Sequence, residues 1–136
     1  PSRSLSNELG DEEAKALASG LEADGHVRVD GLLFAVDAAD LLPGSEEALQ
    51  AVANLLNQNP MMALYVVGHT DSTGGFAHNM SLSRQRASSV VSALVEQYGI
   101  DATRLDAHGV GPLSPEASQA NEAGRSLNRR VEIVLK

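Results

Sequence analysis

An apolar run of seven residues, Met61–Val67, constrains the fold of this chain more than any other feature. Asn59-Pro60 precedes it and Gly68 follows it, so the run predicts a central strand that helices cover on one face. A polar loop over residues 70–77 comes next. Apolar side chains then recur at three- and four-residue spacing from residue 80 to residue 98, which predicts a long amphipathic helix capped by Gly99.

The other segments place helices and strands in alternation around this unit. The sequence predicts a helix over Asp11–Ser19 that Gly20 stops, a strand over His26–Phe34, a helix from Ser45 to Gln58, and strands over Arg104–Val110 and Asn128–Lys136. The resulting order, α-β-α-β-α-β-β, predicts an α/β sandwich, a mixed β-sheet with helices packed on one face. We divide the chain into an N-terminal helical segment or linker, residues 1–24, and a domain, residues 25–136.

Composition narrows the range of functions. The formal net charge of −8 argues against a nucleic-acid surface, which needs a basic face. The absence of cysteine excludes disulfides and thiolate ligands or nucleophiles. No apolar run approaches the roughly 18 residues of a membrane span, so we expect membrane attachment only through a segment absent from this chain.

Two catalytic or nucleotide-binding interpretations fail on spacing. The glycine-bearing loop Gly68–Gly75 lacks the Gly-Lys-Ser/Thr ending with which a phosphate loop places its lysine. The chain also has no Gly-x-Ser-x-Gly elbow and no serine placed by spacing against a histidine. We therefore expect no enzyme activity and no cofactor.

A metal site stays open as an alternative. The candidate ligands are His69, Asp71, His78 and His108, because imidazole and carboxylate groups suit zinc and iron. A metal-dependent hydrolase would use this set. Histidines at strand ends are more often hydrogen-bonded or surface residues.

A pair of opposite charges flanks the polar loop. Asp71 follows the central strand, and Arg86 lies at the border of the buried stripe of the helix, from where it can reach back toward the loop. A guanidinium can fork a carboxylate while an aspartate takes an ammonium group. Together the two residues would bind a zwitterion.

Two motif blocks resemble the C-terminal peptidoglycan-binding domains of the OmpA-like family. The first is Gly68-His69-Thr70-Asp71-x-x-Gly74 with Asn79, Leu82-Ser83-x-x-Arg86-Ala87 and Val90; the second is Gly109-Val110-Gly111 with Pro115 and Gly124-Arg125-x-x-Asn128-Arg129-Arg130-Val131-Glu132-Ile133. The resemblance covers roughly residues 27–135. The chain departs from the family where Gly109-Val110-Gly111-Pro112 replaces Gly-Tyr-Gly-Glu.

The resemblance implies non-covalent binding of the diaminopimelate residue in the peptidoglycan stem peptide. Asp71 would take the amino group at the side-chain end of diaminopimelate, and Arg86 would take the carboxylate there. The other implied pocket residues are Thr70, Asn79, Leu82, Ser83 and Arg129, with Asp37 from the loop after the first strand. Asn128 and Arg130 are assigned mainly to structure.

The resemblance also implies a place in the cell. The full-length protein would anchor an envelope protein to the cell wall in the periplasm of a Gram-negative bacterium, attached to the outer or inner membrane. A homodimer is left open, as is a structural or dimerisation module that does not bind the wall.

Overall fold

A four-stranded mixed sheet organises the fold in the computed structural model, which describes residues 5–136, with side chains from residue 10 onward. The strands are β1 (His26–Arg28), β2 (Leu64–His69), β3 (Leu105–Gly111) and β4 (Arg130–Leu135). Their spatial order is β1-β4-β2-β3. Strand β4 pairs antiparallel with both β1 and β2, and β2 pairs parallel with β3.

Three long helices cover one face of the sheet. The helices are α1 (Leu5–Asp24), α2 (Glu46–Gln58), α3 (Phe76–Tyr98) and the short α4 (Glu122–Asn128), with a 3-10 turn at Ala102–Arg104. Alternate strand residues such as Leu64, Val66 and Ile133 join one core with the buried side chains of α1, α2 and α3. The predicted fold class, a mixed sheet with helices on one face, is confirmed.

Helix α3 lies in direct contact with the sheet because two glycines leave room for it. A Cβ atom on Gly68 would lie 2.1 Å from the backbone oxygen of Ser83, and one on Gly109 would lie 2.2 Å from the backbone nitrogen of Arg84. Any larger residue would push α3 away from β2 and β3. This contact fixes the first turns of α3 beside the end of β2, where the predicted site lies.

The first helix is longer than predicted. It runs through Gly20 to Asp24, whereas the sequence predicted a stop at Gly20. A Cβ atom on Gly20 would lie 2.6 Å from Cγ2 of Val27, so this glycine allows α1 to approach β1 and does not end the helix. The predicted N-terminal segment begins with residues 1–4, which lie outside the described residues.

Two further segments differ from prediction. The first strand ends at Arg28 and not at Phe34, because Gly31 turns the chain with a φ of 92°. Phe34 forms only an isolated bridge with Leu41. Helix α4 was not predicted, and the side chain of Asn121 caps it by accepting a hydrogen bond from the Gly124 amide at 2.7 Å.

None of the helices in the described part of the chain is long and apolar enough to span a bilayer.

Candidate ligand-binding site

An open cavity of about 950 Å³ lies between the loop after β1, the end of β2 and the first turns of α3. Seven of the eight residues predicted to bind a ligand line it: Asp37, Thr70, Asp71, Asn79, Leu82, Arg86 and Arg129. The structure therefore brings together side chains that are up to 92 positions apart in the chain (Asp37 to Arg129, 129 − 37). Leu32, Leu33, Phe34 and Val36 add an apolar wall.

Asp71 is the buried acid of the cavity. It is 8% exposed, and its Oδ1 accepts a hydrogen bond from the Thr73 amide at 2.8 Å while its Oδ2 accepts one from Nη1 of Arg129 at 2.6 Å. Burial alone would raise the pKa of Asp71, but the hydrogen bonds from Arg129 and the Thr73 amide outweigh it and hold the pKa below its ordinary value. Asp71 is therefore a carboxylate at neutral pH.

Arg129 bridges two acids at the edge of the cavity. Its Nη2 donates to Oε1 of Glu122 at 2.5 Å, while its Nη1 holds Asp71. These two carboxylates, Glu122 first, raise the pKa of Arg129 above its ordinary value. The three side chains form an alternating row of charges, and its buried end is Asp71.

Arg86 also lines the cavity, and backbone carbonyls hold its guanidinium. Its Nε donates to the Ala38 oxygen at 2.8 Å and its Nη2 donates to the Ala35 oxygen at 3.0 Å. The guanidinium carbon also lies 5.0 Å from the centre of the Phe34 ring, within cation–π range. Burial lowers the pKa of Arg86, but a guanidinium stays charged at any physiological pH. Within the described residues, Nη1 has no hydrogen-bond partner and can donate to a ligand.

Two polar residues shape the loop that carries Asp71. Asn79 is buried, and its Nδ2 donates to the backbone carbonyl oxygens of Thr73 at 2.9 Å and of Asp71 at 3.5 Å. The hydroxyl of Thr70 donates to the backbone carbonyl oxygen of Asp71 at 2.8 Å, and the Thr70 amide donates to the backbone carbonyl oxygen of Gly111 at 2.9 Å. The loop is thus fixed to both α3 and β3, which orients the Asp71 carboxylate before any ligand arrives.

Asp37 stands at the mouth of the cavity. Its backbone has a φ of 58°, the left-handed region that residues other than glycine seldom adopt. Its carboxylate pairs with the imidazole of His78 on α3, and both side chains are more than half exposed. This pair connects the loop after β1 to the first turn of α3 across the opening.

The prediction that Ser83 lines the pocket is wrong. Ser83 is fully buried, and its hydroxyl donates to the Met80 oxygen at 2.9 Å and accepts from the Gly111 amide at 3.0 Å. Leu82 and Arg86 face the cavity, whereas Ser83 lies on the side of α3 that packs against β3. Its role is to join the helix to the sheet.

The histidines do not converge into a metal site. Among the residues that the structure describes, no group of three or more histidine, aspartate or glutamate side chains is placed to hold an ion. His69 is buried 4.0 Å from Oε2 of Glu132, His78 pairs with Asp37, and His108 contacts the Tyr65 ring edge-on at 5.7 Å. The metal-dependent hydrolase alternative therefore has no geometric support.

Sequence reasoning missed three residues of the site. Phe34 was assigned to a strand, but it supports the Arg86 guanidinium instead. The sequence points to His78 only as a possible metal ligand, and it assigns no binding role to Glu122. Glu122 follows the capping residue Asn121, and Asn-Glu at the start of a helix is a recognisable signal that would have located both α4 and the acid.

The chain is similar in sequence to several known proteins. It is 46% identical over 106 residues to the probable lipoprotein YiaD of Escherichia coli, a match that covers 78% of this chain and 48% of YiaD. It is 39% identical over 104 residues to the peptidoglycan-binding protein ArfA of Mycobacterium tuberculosis, covering 76% of this chain and 32% of ArfA. The chain thus spans about half or less of the length of these relatives.

A solved structure, the cell wall anchor of the type VI secretion system (T6SS) from Pseudomonas aeruginosa, superimposes with a TM-score of 0.70. The two are 30% identical, and the match covers 90% of this chain and 94% of the anchor. Residues 33–129 also match the family model for OmpA, and this range includes the first motif block, the second block as far as Arg129, and every residue that lines the cavity except Leu32. The chain belongs to the OmpA family.

Proposed function

We propose that this chain binds peptidoglycan non-covalently by holding the diaminopimelate residue of the stem peptide in the cavity between Asp71 and Arg86. The observation that carries the proposal is the convergence of a buried, ionised acid and two guanidinium groups on one open cavity. The side-chain end of diaminopimelate carries an ammonium group and a carboxylate on one carbon atom. A fixed acid and a fixed arginine can bind both groups and distinguish their handedness.

The hydrogen bonds around the cavity suggest how the ligand would enter without displacing Arg129. Among the described residues, the Asp71 carboxylate accepts hydrogen bonds from the Thr73 amide, the Thr73 side chain and Arg129, and because a carboxylate offers about four lone-pair sites it can still accept one from an ammonium group. The ammonium would extend the charge row of Glu122, Arg129 and Asp71 by one more alternating charge. The ligand carboxylate would then take Nη1 of Arg86.

The relatives support the more general part of this proposal, which is binding to the cell wall. OmpA-family chains are binding domains and not a class of enzyme, and the two relatives named for a binding role are called a peptidoglycan-binding protein and a cell wall anchor. We propose that the full-length protein tethers an envelope component to the wall in the Gram-negative periplasm. A segment beyond this chain would attach it to a membrane.

Co-sedimentation with purified sacculi tests the assignment. We expect Asp71→Asn and Arg86→Lys each to weaken binding about tenfold or more, because a charge-assisted hydrogen bond is worth about 1.5–3 kcal/mol and about 1.4 kcal/mol is one decade. Both changes keep the size or the charge type of the side chain, which limits damage to the fold. Glu96→Gln and Arg84→Lys are matched controls at exposed positions on α3, and we expect them to bind like the wild type.

Competition with soluble ligands tests the diaminopimelate assignment separately. Free meso-diaminopimelate should release the protein from sacculi, and L-lysine should not, because it lacks the carboxylate at the side-chain end. Release by both ligands would show binding without diaminopimelate specificity. Wild-type pelleting by a folded Asp71→Asn variant would overturn the site itself.

A further inference from the structure

Strand β3 forms one edge of the sheet, and the structure leaves that edge without a partner strand. Among the strands of the described residues, its only neighbour is β2. Among the described residues, the β3 backbone makes hydrogen bonds outside β2 and the loop after β2 only near its two ends: the Leu105 amide donates to the Ala102 oxygen, the Val110 oxygen accepts from the Leu113 amide at 3.1 Å, and the Gly111 amide donates to the Ser83 hydroxyl at 3.0 Å. An edge of this kind offers a row of free donors and acceptors to another strand.

This edge carries few of the features that normally protect an edge strand. It is seven residues long, whereas the opposite edge strand, β1, has three residues. It contains no proline and no lysine. Its register irregularity lies at its very end, where His69 pairs with Gly111, so residues 105–109 remain regular. A long, regular edge without such protection is suited to pairing with a second strand.

The exposed side chains of β3 are an acid and an imidazole, which can pair with those of a second copy of the strand. Leu105 and Ala107 pack toward the core, whereas Asp106 and His108 are exposed on the opposite face. If two β3 strands pair antiparallel about a two-fold axis at Ala107, Asp106 of each copy stands opposite His108 of the other. Residues opposite each other in an antiparallel pair share a face, so two acid–imidazole pairs form at once.

One carboxylate oxygen of Asp106 is available for this contact. Its Oδ2 accepts from Nζ of Lys136 at 2.6 Å, and Oδ1 has no partner among the described residues. The edge is locally close to neutral in a chain of net charge −8, because Lys136 offsets Asp106. The self-repulsion expected between two acidic molecules is therefore smallest where these strands would meet.

We propose that two copies of this chain form a two-fold dimer by antiparallel pairing of their β3 strands about Ala107. The dimer would extend the sheet from four strands to eight. Its interface is separate from the proposed ligand site, since neither Asp106 nor His108 lines that cavity. The proposal does not depend on peptidoglycan binding.

Sedimentation velocity over about a hundredfold range of protein concentration tests the dimer. We expect a concentration-dependent dimer for the wild type. His108→Asp places two acids opposite two acids and should raise the dimer dissociation constant at least about tenfold. The double exchange Asp106→His with His108→Asp restores opposite partners and should recover the wild-type association. Gln97→Asp, which makes the same change in charge at an exposed position on α3, should leave association unchanged.

Cross-linking gives a second measurement of the register. Because the chain has no cysteine, Asp106→Cys and His108→Cys each introduce a single thiol. Oxidation of a mixture should give mainly the disulfide between the two different variants, because residues 106 and 108 stand opposite each other only across the proposed pair. A wild type that is monomeric throughout, a dimer that His108→Asp leaves intact, or a mixture without preference for the mixed disulfide would each overturn the proposal.

Discussion

Asp71 shows how single residues prepare the site. Burial opposes its charge, yet the Arg129 guanidinium and the Thr73 amide keep it ionised. The sequence could predict that Asp71 and Arg86 flank one loop, since both belong to one strand–loop–helix unit. It could not predict that Arg86 is held by Ala35 and Ala38, because those carbonyls belong to an irregular loop that lies 51 and 48 positions earlier in the chain.

His69 provides a prediction about stability and pH. It is 7% exposed, and burial together with the nearby Arg130 lowers its pKa from 6.5 to about 4. The unfolded chain binds the proton more readily, so stability is fully present above about pH 6.5 and is lost as the pH falls toward 4. Between pH 7 and pH 5 this histidine should cost the fold about 2 kcal/mol.

Denaturant unfolding at the two pH values measures this effect. The loss of unfolding free energy between pH 7 and pH 5 should be about 2 kcal/mol smaller in His69→Gln than in the wild type. His108→Gln, which changes an exposed histidine on the neighbouring strand, should keep the wild-type difference when both proteins are measured at a concentration where they are monomeric. An equal pH dependence in His69→Gln and the wild type would mean that the buried imidazole does not control acid stability.

At the scale of elements, the contact between α3 and β3 gives a second prediction. In Gly109→Ala the new methyl group would meet the backbone nitrogen of Arg84 at 2.2 Å and the hydroxyl of Ser83 at 2.4 Å, and the Arg84 backbone cannot move without moving the helix. We expect a loss of about 2–3 kcal/mol in unfolding free energy. Weaker pelleting with sacculi should accompany it, since the first turns of α3 carry Asn79 and Leu82.

The control for this change is Gly75→Ala, at the residue before α3. Its nearest contact would be Cβ of His78 at 4.0 Å, so we expect a cost of about 1 kcal/mol or less in unfolding free energy, from the weaker helix cap. Equal effects of the two substitutions would show that loss of backbone flexibility, and not the close contact, explains the result. Unfolding curves in guanidinium chloride separate the two.

The length and periodicity of each helix or strand decide whether the sequence could predict it. Periodic apolar residues located α2, β2 and α3, because their patterns repeat over many positions and burial follows the pattern. Two glycines led to wrong element boundaries. Gly20 was predicted to end α1, but it allows close packing of the helix against Val27. Gly31 was predicted to lie within the first strand, but it turns the chain after that strand. Helix α4 has only seven residues, too few to show a period, so only its capping residue marked it.

At the scale of the whole molecule, α1 is attached to the domain through the shared core. Ala14, Leu17 and Leu21 are all less than a tenth exposed and belong to the same cluster as the buried residues of α2. The predicted division between residues 24 and 25 stays a prediction, and the contacts argue that the two parts fold together. Removing α1 would expose the apolar side of α2 to water.

Truncation tests this coupling. Leu21→Ala should lower the unfolding free energy by about 2–5 kcal/mol, as for other buried leucines, and removal of residues 1–24 should lower it further. A loss of this size is a large part of the roughly 5–15 kcal/mol that stabilises a typical domain. Lys15→Ala, at an exposed position on the same helix, should change the unfolding free energy little.

Thermal unfolding of the three variants beside the wild type gives their order of stability. If residues 25–136 alone unfold at the wild-type temperature, α1 is a linker that rests on the domain without supporting it. None of the α1 residues whose side chains the structure describes lines the ligand cavity, so at a temperature where the shortened chain is folded it should still bind sacculi like the wild type.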